Sequence, residues 1–294
     1  MKILMVDTVH PSLTKGLQEI GFTVEEDYHS SPQELSHRIE KYSGMIIRSR
    51  FPVTSAFLSR ASQLRFIGRV GAGMENIDIQ AAETKGITLL NAPEGNRNAV
   101  AEHALGMLLM LMNNLRIADN QVRNGIWKRE ANRGFELEGK TVGIIGYGNM
   151  GSAFAAKLKS FDVRILAHDK YRHDFGDGEV EESSLETILE QADVISFHLP
   201  QTDETIAYFD DDFVEKLQKP VYLINTARGK IVQTSALVKG LEKEKIKGAC
   251  LDVLEYEKSS FENMFSGDIP DDLQYLIQSD KVVLSPHIAG WSHE

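Results

Sequence analysis

A chain of 294 residues exceeds the size at which one hydrophobic core usually keeps growing, so two domains are expected. Hydrophobic residues at 42% and charged residues at 26% exclude disordered, collagen-like and coiled-coil classes. A formal net charge of −11 repels phosphate backbones and anionic bilayers, which argues against nucleic-acid and membrane partners.

In chain order, the first apolar stretch, Ile3 to Val6, stops at Asp7 and is far too short for a secretory core. Short apolar runs then alternate with helical patterns: Ile3–Val6, Phe22–Val24, Met45–Ile47, Phe66–Val70 and Thr88–Leu90 read as strands. Five β-α repeats imply a parallel sheet with helices on both faces. Ser31-Pro32-Gln33-Glu34 supplies a helix start, with a capping Ser, a Pro at the first helical position and Glu at the third. Beyond Asn91-Ala92-Pro93, Asn98 is expected to cap a buried helix from Ala99 to about Leu115 that lies between the two domains. Its apolar run, Ala104 to Met112, is too short to cross a bilayer. Six further strands follow: Thr141–Ile145, Val163–Ala167, Val194–Phe197, Val221–Ile224, Gly248–Leu251 and Val282–Leu284. They fit a second doubly wound sheet. The lone cysteine, Cys250, cannot form an internal disulfide, and a cytoplasmic location is expected.

Strand Thr141–Ile145 runs straight into Gly146-Tyr147-Gly148-Asn149-Met150-Gly151 and a helix. In that setting G-x-G-x-x-G is a dinucleotide fingerprint. Gly146 permits the tight turn, Gly148 admits a pyrophosphate close to the backbone, and Gly151 lets the helix pack on its strand. The next strand ends in Asp169, 18 residues beyond Gly151, where a carboxylate accepts ribose hydroxyls and repels a 2′-phosphate. NAD is therefore expected over NADP.

Ligands of open parallel sheets bind beyond the carboxyl ends of the strands. Three such ends carry reactive groups: Asn225-Thr226-Ala227-Arg228-Gly229, Asp252-Val253-Leu254-Glu255-Tyr256-Glu257 and Ser285-Pro286-His287-Ile288-Ala289-Gly290. Oxidising a 2-hydroxy acid needs a base for the hydroxyl proton, a fixed cation for the carboxylate and a nicotinamide face. His287 suits the first and Arg228 the second, with a Glu from the middle segment to hold the imidazole.

With Val70–Asp78, Ala99–Gly106 and Gly143–Gly151, these segments resemble the D-isomer-specific 2-hydroxyacid dehydrogenase family, most closely its phosphoglycerate dehydrogenase branch. The resemblance covers nearly the whole chain. It implies an α/β fold of two doubly wound parallel-sheet domains around a cleft: a flavodoxin-like substrate domain, 1–96, and a Rossmann NAD-binding domain, 97–286, with 287–294 returning toward the first. It selects Glu257 over Glu255, as the Glu five residues past Asp252, to join Arg228 and His287 as the catalytic set. It places Arg48, Gly71, Ala72 and Gly73, with Arg228 and His287, around the substrate. Around the cofactor it adds His198, Leu199, Pro200, Thr205, Thr226, Ala227, Arg228, Asp252, His287, Ala289 and Gly290. It implies no metal and a homodimer formed through the cofactor domain. Lys258 departs from a usual Pro, Gln233 from a common acidic residue, and the chain stops seven residues after His287 where relatives continue. The expected reaction is hydride transfer between the nicotinamide and C2 of 3-phosphoglycerate or 3-phosphohydroxypyruvate. Alternatives are a glyoxylate, hydroxypyruvate or D-lactate type reductase, and a low-turnover NAD-binding scaffold or corepressor.

Overall fold

The computed structural model describes residues 1–257 and 269–293. Lys258 and Glu294 lie outside the described residues. The chain divides into two compact units, and the described residues of one are Met1–Asn96 with His293, those of the other 97–257 and 269–292.

The first unit is a parallel sheet of β1 (Lys2–Met5), β2 (Thr23–Glu26), β3 (Gly44–Ile47), β4 (Phe66–Arg69) and β5 (Thr88–Asn91), in the order β2-β1-β3-β4-β5. That is the flavodoxin-like order, which reverses between β1 and β3. All four residues of β3 are buried, as a strand covered on both faces requires. Ser31 and Glu34 close a reciprocal capping box on the helix Pro32–Arg38.

The second unit is a seven-stranded sheet of β6 (Thr141–Ile145), β7 (Arg164–His168), β8 (Val180–Glu182), β9 (Val194–Phe197), β10 (Val221–Asn225), β11 (Ile246–Leu251) and β12 (Val282–Leu284). Its order is β12-β11-β10-β9-β6-β7-β8, and every recorded pairing is parallel. The order reverses between β6 and β9, which makes their carboxyl ends the switch point where ligands bind in such sheets. The sequence pattern showed six strands. It passed over β8, an edge strand of three residues in which Val180 is buried while Glu181 and Glu182 are exposed.

The long helix starts earlier than expected, at Pro93 rather than Ala99, because proline is favoured at the first helical position. It ends at Met112, and Asn114 takes a left-handed conformation (φ 53°) from which a second helix, Leu115–Arg123, departs. Ala101, Ala104, Leu108 and Met112 pack with Val142, Ile144 and Phe154 in the core of the second unit. Residues 287–292 group with the second unit, and His293 with the first. Backbone N–H groups of His287, Ile288 and Ala289 all donate to Asp252, which ties the segment to the end of β11.

Candidate active site

The glycine turn sits where β6 ends. Gly146 has a φ of 93° that an L side chain rarely adopts, and a Cβ there would press on the His198 carbonyl. A Cβ at Gly151 would overlap the carbonyl oxygen of Gly146, so this glycine is what brings the helix Asn149–Leu158 onto its strand. Around Gly148, by contrast, the space is open. Gly148 caps the helix without a side-chain bond, and the first-turn N–H groups of a helix have no intrahelical partners. An opening beside free N–H groups and a positive dipole end fits a pyrophosphate.

Tyr147 contributes no spare backbone donor. Its N–H goes to Asp169 Oδ2 at 2.7 Å, and its ring stacks on Phe175 with centroids 4.5 Å apart. Asp169 Oδ1 accepts the N–H groups of Tyr171 (2.9 Å) and Arg172 (3.0 Å). Burial alone would raise the carboxyl's pKa, but these three bonds and the Arg172 charge outweigh it and lower the pKa. Of its roughly four lone-pair sites these bonds take three, which leaves one, on Oδ2, for a ribose hydroxyl. At the end of β9, burial pushes the His198 imidazole down to about 4, so a neutral ring sits 2.9 Å from Ser196 Oγ. Leu199 and Pro200 follow, and Thr205 Oγ1 closes their loop by donating to Pro200 O at 2.6 Å.

The ends of β10, β11 and β12 carry the reactive groups side by side. Asn225 ties the first loop together: its Oδ1 accepts from Ala227 N at 3.1 Å and its Nδ2 donates to Arg228 O at 2.9 Å. Arg228 Nη1 donates to Ala227 O at 2.6 Å. The Thr226 hydroxyl is buried without a protein partner, a position that suits a ligand's polar group. A Cβ at Gly229 would overlap the carbonyl oxygen of Leu254, so the Arg228 loop packs directly on the loop after β11.

On that second loop the two glutamates separate. Glu255 Oε2 accepts the N–H of Thr234 at 2.7 Å, holding the start of the helix Thr234–Glu242. Glu257 Oε1 accepts from Leu254 N at 2.6 Å, and its Oε2 lies 2.8 Å from His287 Nδ1. His287 itself has a φ of 56°. A left-handed conformation costs a non-glycine residue about 1–2 kcal/mol, which its neighbours must hold in place. The Asp252 carbonyl, 2.8 Å from His287 N, is one of those holds. The Asp252 carboxylate takes Ile288 N at 2.9 Å and Ala289 N at 2.8 Å, and Gly290 follows. Asp252 and Ala289 thus form the frame beneath His287.

In the first unit, register pairs Ile47 of β3 with Arg69 of β4, so Arg48 and Arg69 stand at neighbouring strand ends. A Cβ at Gly71 would overlap Arg69 Nη1: the guanidinium lies against Gly71. The sequence reading missed Asp7, whose Oδ2 accepts the N–H groups of Arg48 (2.6 Å), Ser49 (3.0 Å) and Arg50 (3.2 Å). Its signal was an acidic residue at the carboxyl end of β1. Arg50 is a clamp: it donates to the carbonyls of Val6, Asp27 and Ser30.

A family model of the D-isomer specific 2-hydroxyacid dehydrogenase NAD binding domain matches residues 105–289. The chain is 34% identical over its full length to D-3-phosphoglycerate dehydrogenase of Archaeoglobus fulgidus, covering 54% of that protein. It is 32% identical over its full length to the Homo sapiens protein of the same name, covering 53% of it. The chain thus spans about half the length of the curated relatives it matches. Among solved structures, the D-lactate dehydrogenase of Aquifex aeolicus, complexed with NAD and lactic acid, aligns with a TM-score of 0.81 at 27% identity. That alignment covers 100% of this chain and 90% of the other.

Proposed function

Because the chain belongs to the D-isomer specific 2-hydroxyacid dehydrogenase family, we propose that it interconverts a small D-2-hydroxy acid and its 2-keto acid with NAD. The observation that carries this reading is the 2.8 Å pair of Glu257 and His287, on the loops after β11 and β12, beside the Arg228 loop after β10. Bound NAD supplies a nicotinamide that takes or gives the hydride at C2. Gly146, Gly148, Gly151 and the helix behind them hold its pyrophosphate, Asp169 a ribose hydroxyl, and Thr226 a polar group nearer the reacting end. His198, Leu199 and Pro200, at the switch point, and Thr205, which closes their loop, line the same site.

Arg228 grips the substrate carboxylate with its planar fork. His287 Nε2 gives a proton to the keto oxygen in reduction and removes it from the hydroxyl in oxidation. Glu257 fixes the proton on Nδ1 and stabilises the imidazolium. The first unit supplies Arg48 and the N–H groups of Gly71, Ala72 and Gly73 for the substrate. The two arginines at neighbouring strand ends, Arg48 and Arg69, favour a substrate with a second anionic group, and we assign 3-phosphoglycerate. Two charge-assisted pairs give a phosphate more than a hydroxyl can match.

The partner is a second copy of the chain. The helix Leu115–Arg123 buries no residue, and Leu115, Val122, Ile126, Trp127 and Phe135 are exposed along one stretch of the second unit. An apolar series of that kind marks an interface. Trp127→Glu should yield a monomer by light scattering, and an unchanged mass would move the interface elsewhere. No helix among the described residues is long and apolar enough to cross a membrane. We place the reaction in the cytoplasm, where NAD is supplied and the buried thiol of Cys250 stays reduced.

The test is NADH oxidation with a panel of 2-keto acids, including 3-phosphohydroxypyruvate and hydroxypyruvate, in the parent and in Arg48→Ala. The variant should raise KM at least about tenfold more for the phosphorylated acid, since only that one loses a charge-assisted pair. Equal effects would remove the phosphate assignment. NADH binding without turnover of any acid would favour a scaffold.

A further inference from the structure

His103 lies on the helix Pro93–Met112, in the part that belongs to the second unit. Its Nε2 stands 2.9 Å from Ser285 Oγ and 3.5 Å from Asp252 Oδ1. Ser285 Oγ is in turn 2.6 Å from the same carboxylate oxygen. A carboxylate only accepts, so the single hydroxyl hydrogen of Ser285 points to Asp252. His103 Nε2 must then carry a hydrogen and donate it to the serine oxygen, an assignment that follows from the network. Donation therefore runs in one direction, from His103 through Ser285 to Asp252.

What Asp252 does with its remaining capacity gives this relay a purpose. Its side chain is 1% exposed, and it receives the N–H groups of Ile288 and Ala289 while its backbone carbonyl receives that of His287. Three consecutive residues of the turn, including the left-handed His287, hang on one buried acid. If the carboxylate rotated, Ile288 and Ala289 would lose their acceptors, and the backbone would be free to leave a conformation that is costly for a histidine. Ser285, bonded to the Oδ1 that also takes Ile288 N, and His103 behind it oppose that rotation.

We propose that His103 is a positioning residue for the reaction: it locks Ser285 and Asp252 so that the turn presents His287 in one orientation. This rests on the reading of His287 as the proton donor.

The test uses His103→Leu, which deletes the donor at similar volume, and His103→Gln, which restores an N–H near the position of Nε2. Ser285→Ala breaks the middle link without a substitution in the helix and serves if the leucine variant does not fold. One readout needs no turnover: hydrogen–deuterium exchange of the peptide 285–291 should rise about tenfold in His103→Leu and in Ser285→Ala, with the rest of the chain unchanged. His103→Gln should exchange like the parent. In steady-state reduction, kcat should fall about 10- to 100-fold in His103→Leu with the keto-acid KM within about twofold, the pattern of a misaimed group. The glutamine variant should recover most of it. Parental exchange in His103→Leu overturns the proposal. So does equal loss in both variants, which would leave His103 a packing role only. If the parent binds NADH yet turns over no 2-keto acid, the reading of His287 fails, and the exchange data still decide whether His103 locks the turn.

Discussion

The two oxygens of Glu257 face two different donors: Oε1 takes the N–H of Leu254 at 2.6 Å, and Oε2 stands 2.8 Å from Nδ1 of His287. A carboxylate serves both. An amide has one oxygen and one NH2, so Glu257→Gln must turn the oxygen to Leu254 and the NH2 to His287. Nδ1 is then forced to be the bare nitrogen, and the imidazolium that proton transfer requires is lost. Glu257→Gln and His287→Ala should each lower kcat/KM for reduction by about 10²-fold or more, the scale of a missing general acid. The double variant should be little worse than either, since the two act as a unit. Near-parental turnover of either single variant would put the proton donor elsewhere.

Two glycines of the same turn should fail in opposite ways. A methyl at Gly151 overlaps the Gly146 carbonyl, so Gly151→Ala should destabilise the fold by about 1–3 kcal/mol, the usual penalty of overpacking. A methyl at Gly148 meets only open space. Gly148→Ala should therefore melt within about 2 °C of the parent, no more than the shift that about 1 kcal/mol produces in a protein of this size, while NADH titration weakens. A Gly148→Ala protein with parental NADH affinity would mean that no phosphate lies there.

Much of this was legible because the relevant signals are local. β6, β9 and β12 were read with the bounds they have, since each is an apolar run stopped by a turn residue or a polar side chain. Parallel pairing also followed from the β-α alternation, whereas the strand orders came only with the resemblance. What stayed hidden depends on distant partners. Glu255 and Glu257 are both acids two residues apart on one loop: the residues alone left both open, only the resemblance selected Glu257, and their tasks separate through distant partners, Thr234 for Glu255 and His287 for Glu257. Arg48 and Arg50 look equivalent in the chain, yet Arg50 is consumed by three carbonyls. His103 and Ser285 meet across 182 residues, a separation no local pattern encodes.

Asp169 should set cofactor choice. Burial raises its pKa, but the N–H groups of Tyr171, Tyr147 and Arg172 and the Arg172 charge together pull it below the usual carboxylate range. The lowered pKa keeps the group ionised, and able to repel a 2′-phosphate, throughout the neutral range. NAD should be preferred at least about tenfold in kcat/KM, about 1.4 kcal/mol, and the ratio should not change from about pH 6 to 8. Asp169→Asn keeps one acceptor for the turn and withdraws the charge, so the preference should shrink chiefly through better use of NADP. Equal use of both cofactors by the parent would refute the assignment.

His198 should leave a mark on acid stability. Burial holds its folded pKa near 4, whereas an unfolded imidazole titrates near 6.5. Between those values the unfolded chain binds the proton that the folded chain refuses. Stability therefore rises with pH through this window, and acidification from 6.5 toward 4 should cost the fold up to one proton's worth of linkage. Carboxylates with lowered pKa, such as Asp169 and Asp193, act in a lower window: their contribution persists above the unfolded carboxylate pKa of about 3.9 and is lost only as pH falls through the folded value. The two effects separate on the pH axis. His198→Gln removes the titrating group and keeps an N–H for Ser196, which lies 2.9 Å from the ring. Its melting temperature should be lower than the parent's at pH 7.5, because the ring also packs 5.4 Å from Phe154, but should change less between pH 6.5 and 5. Thermal melts of both proteins at half-unit steps across pH 5 to 7.5 make the comparison, and it is the slope that counts. Parallel curves would show that His198 does not carry the acid-side loss.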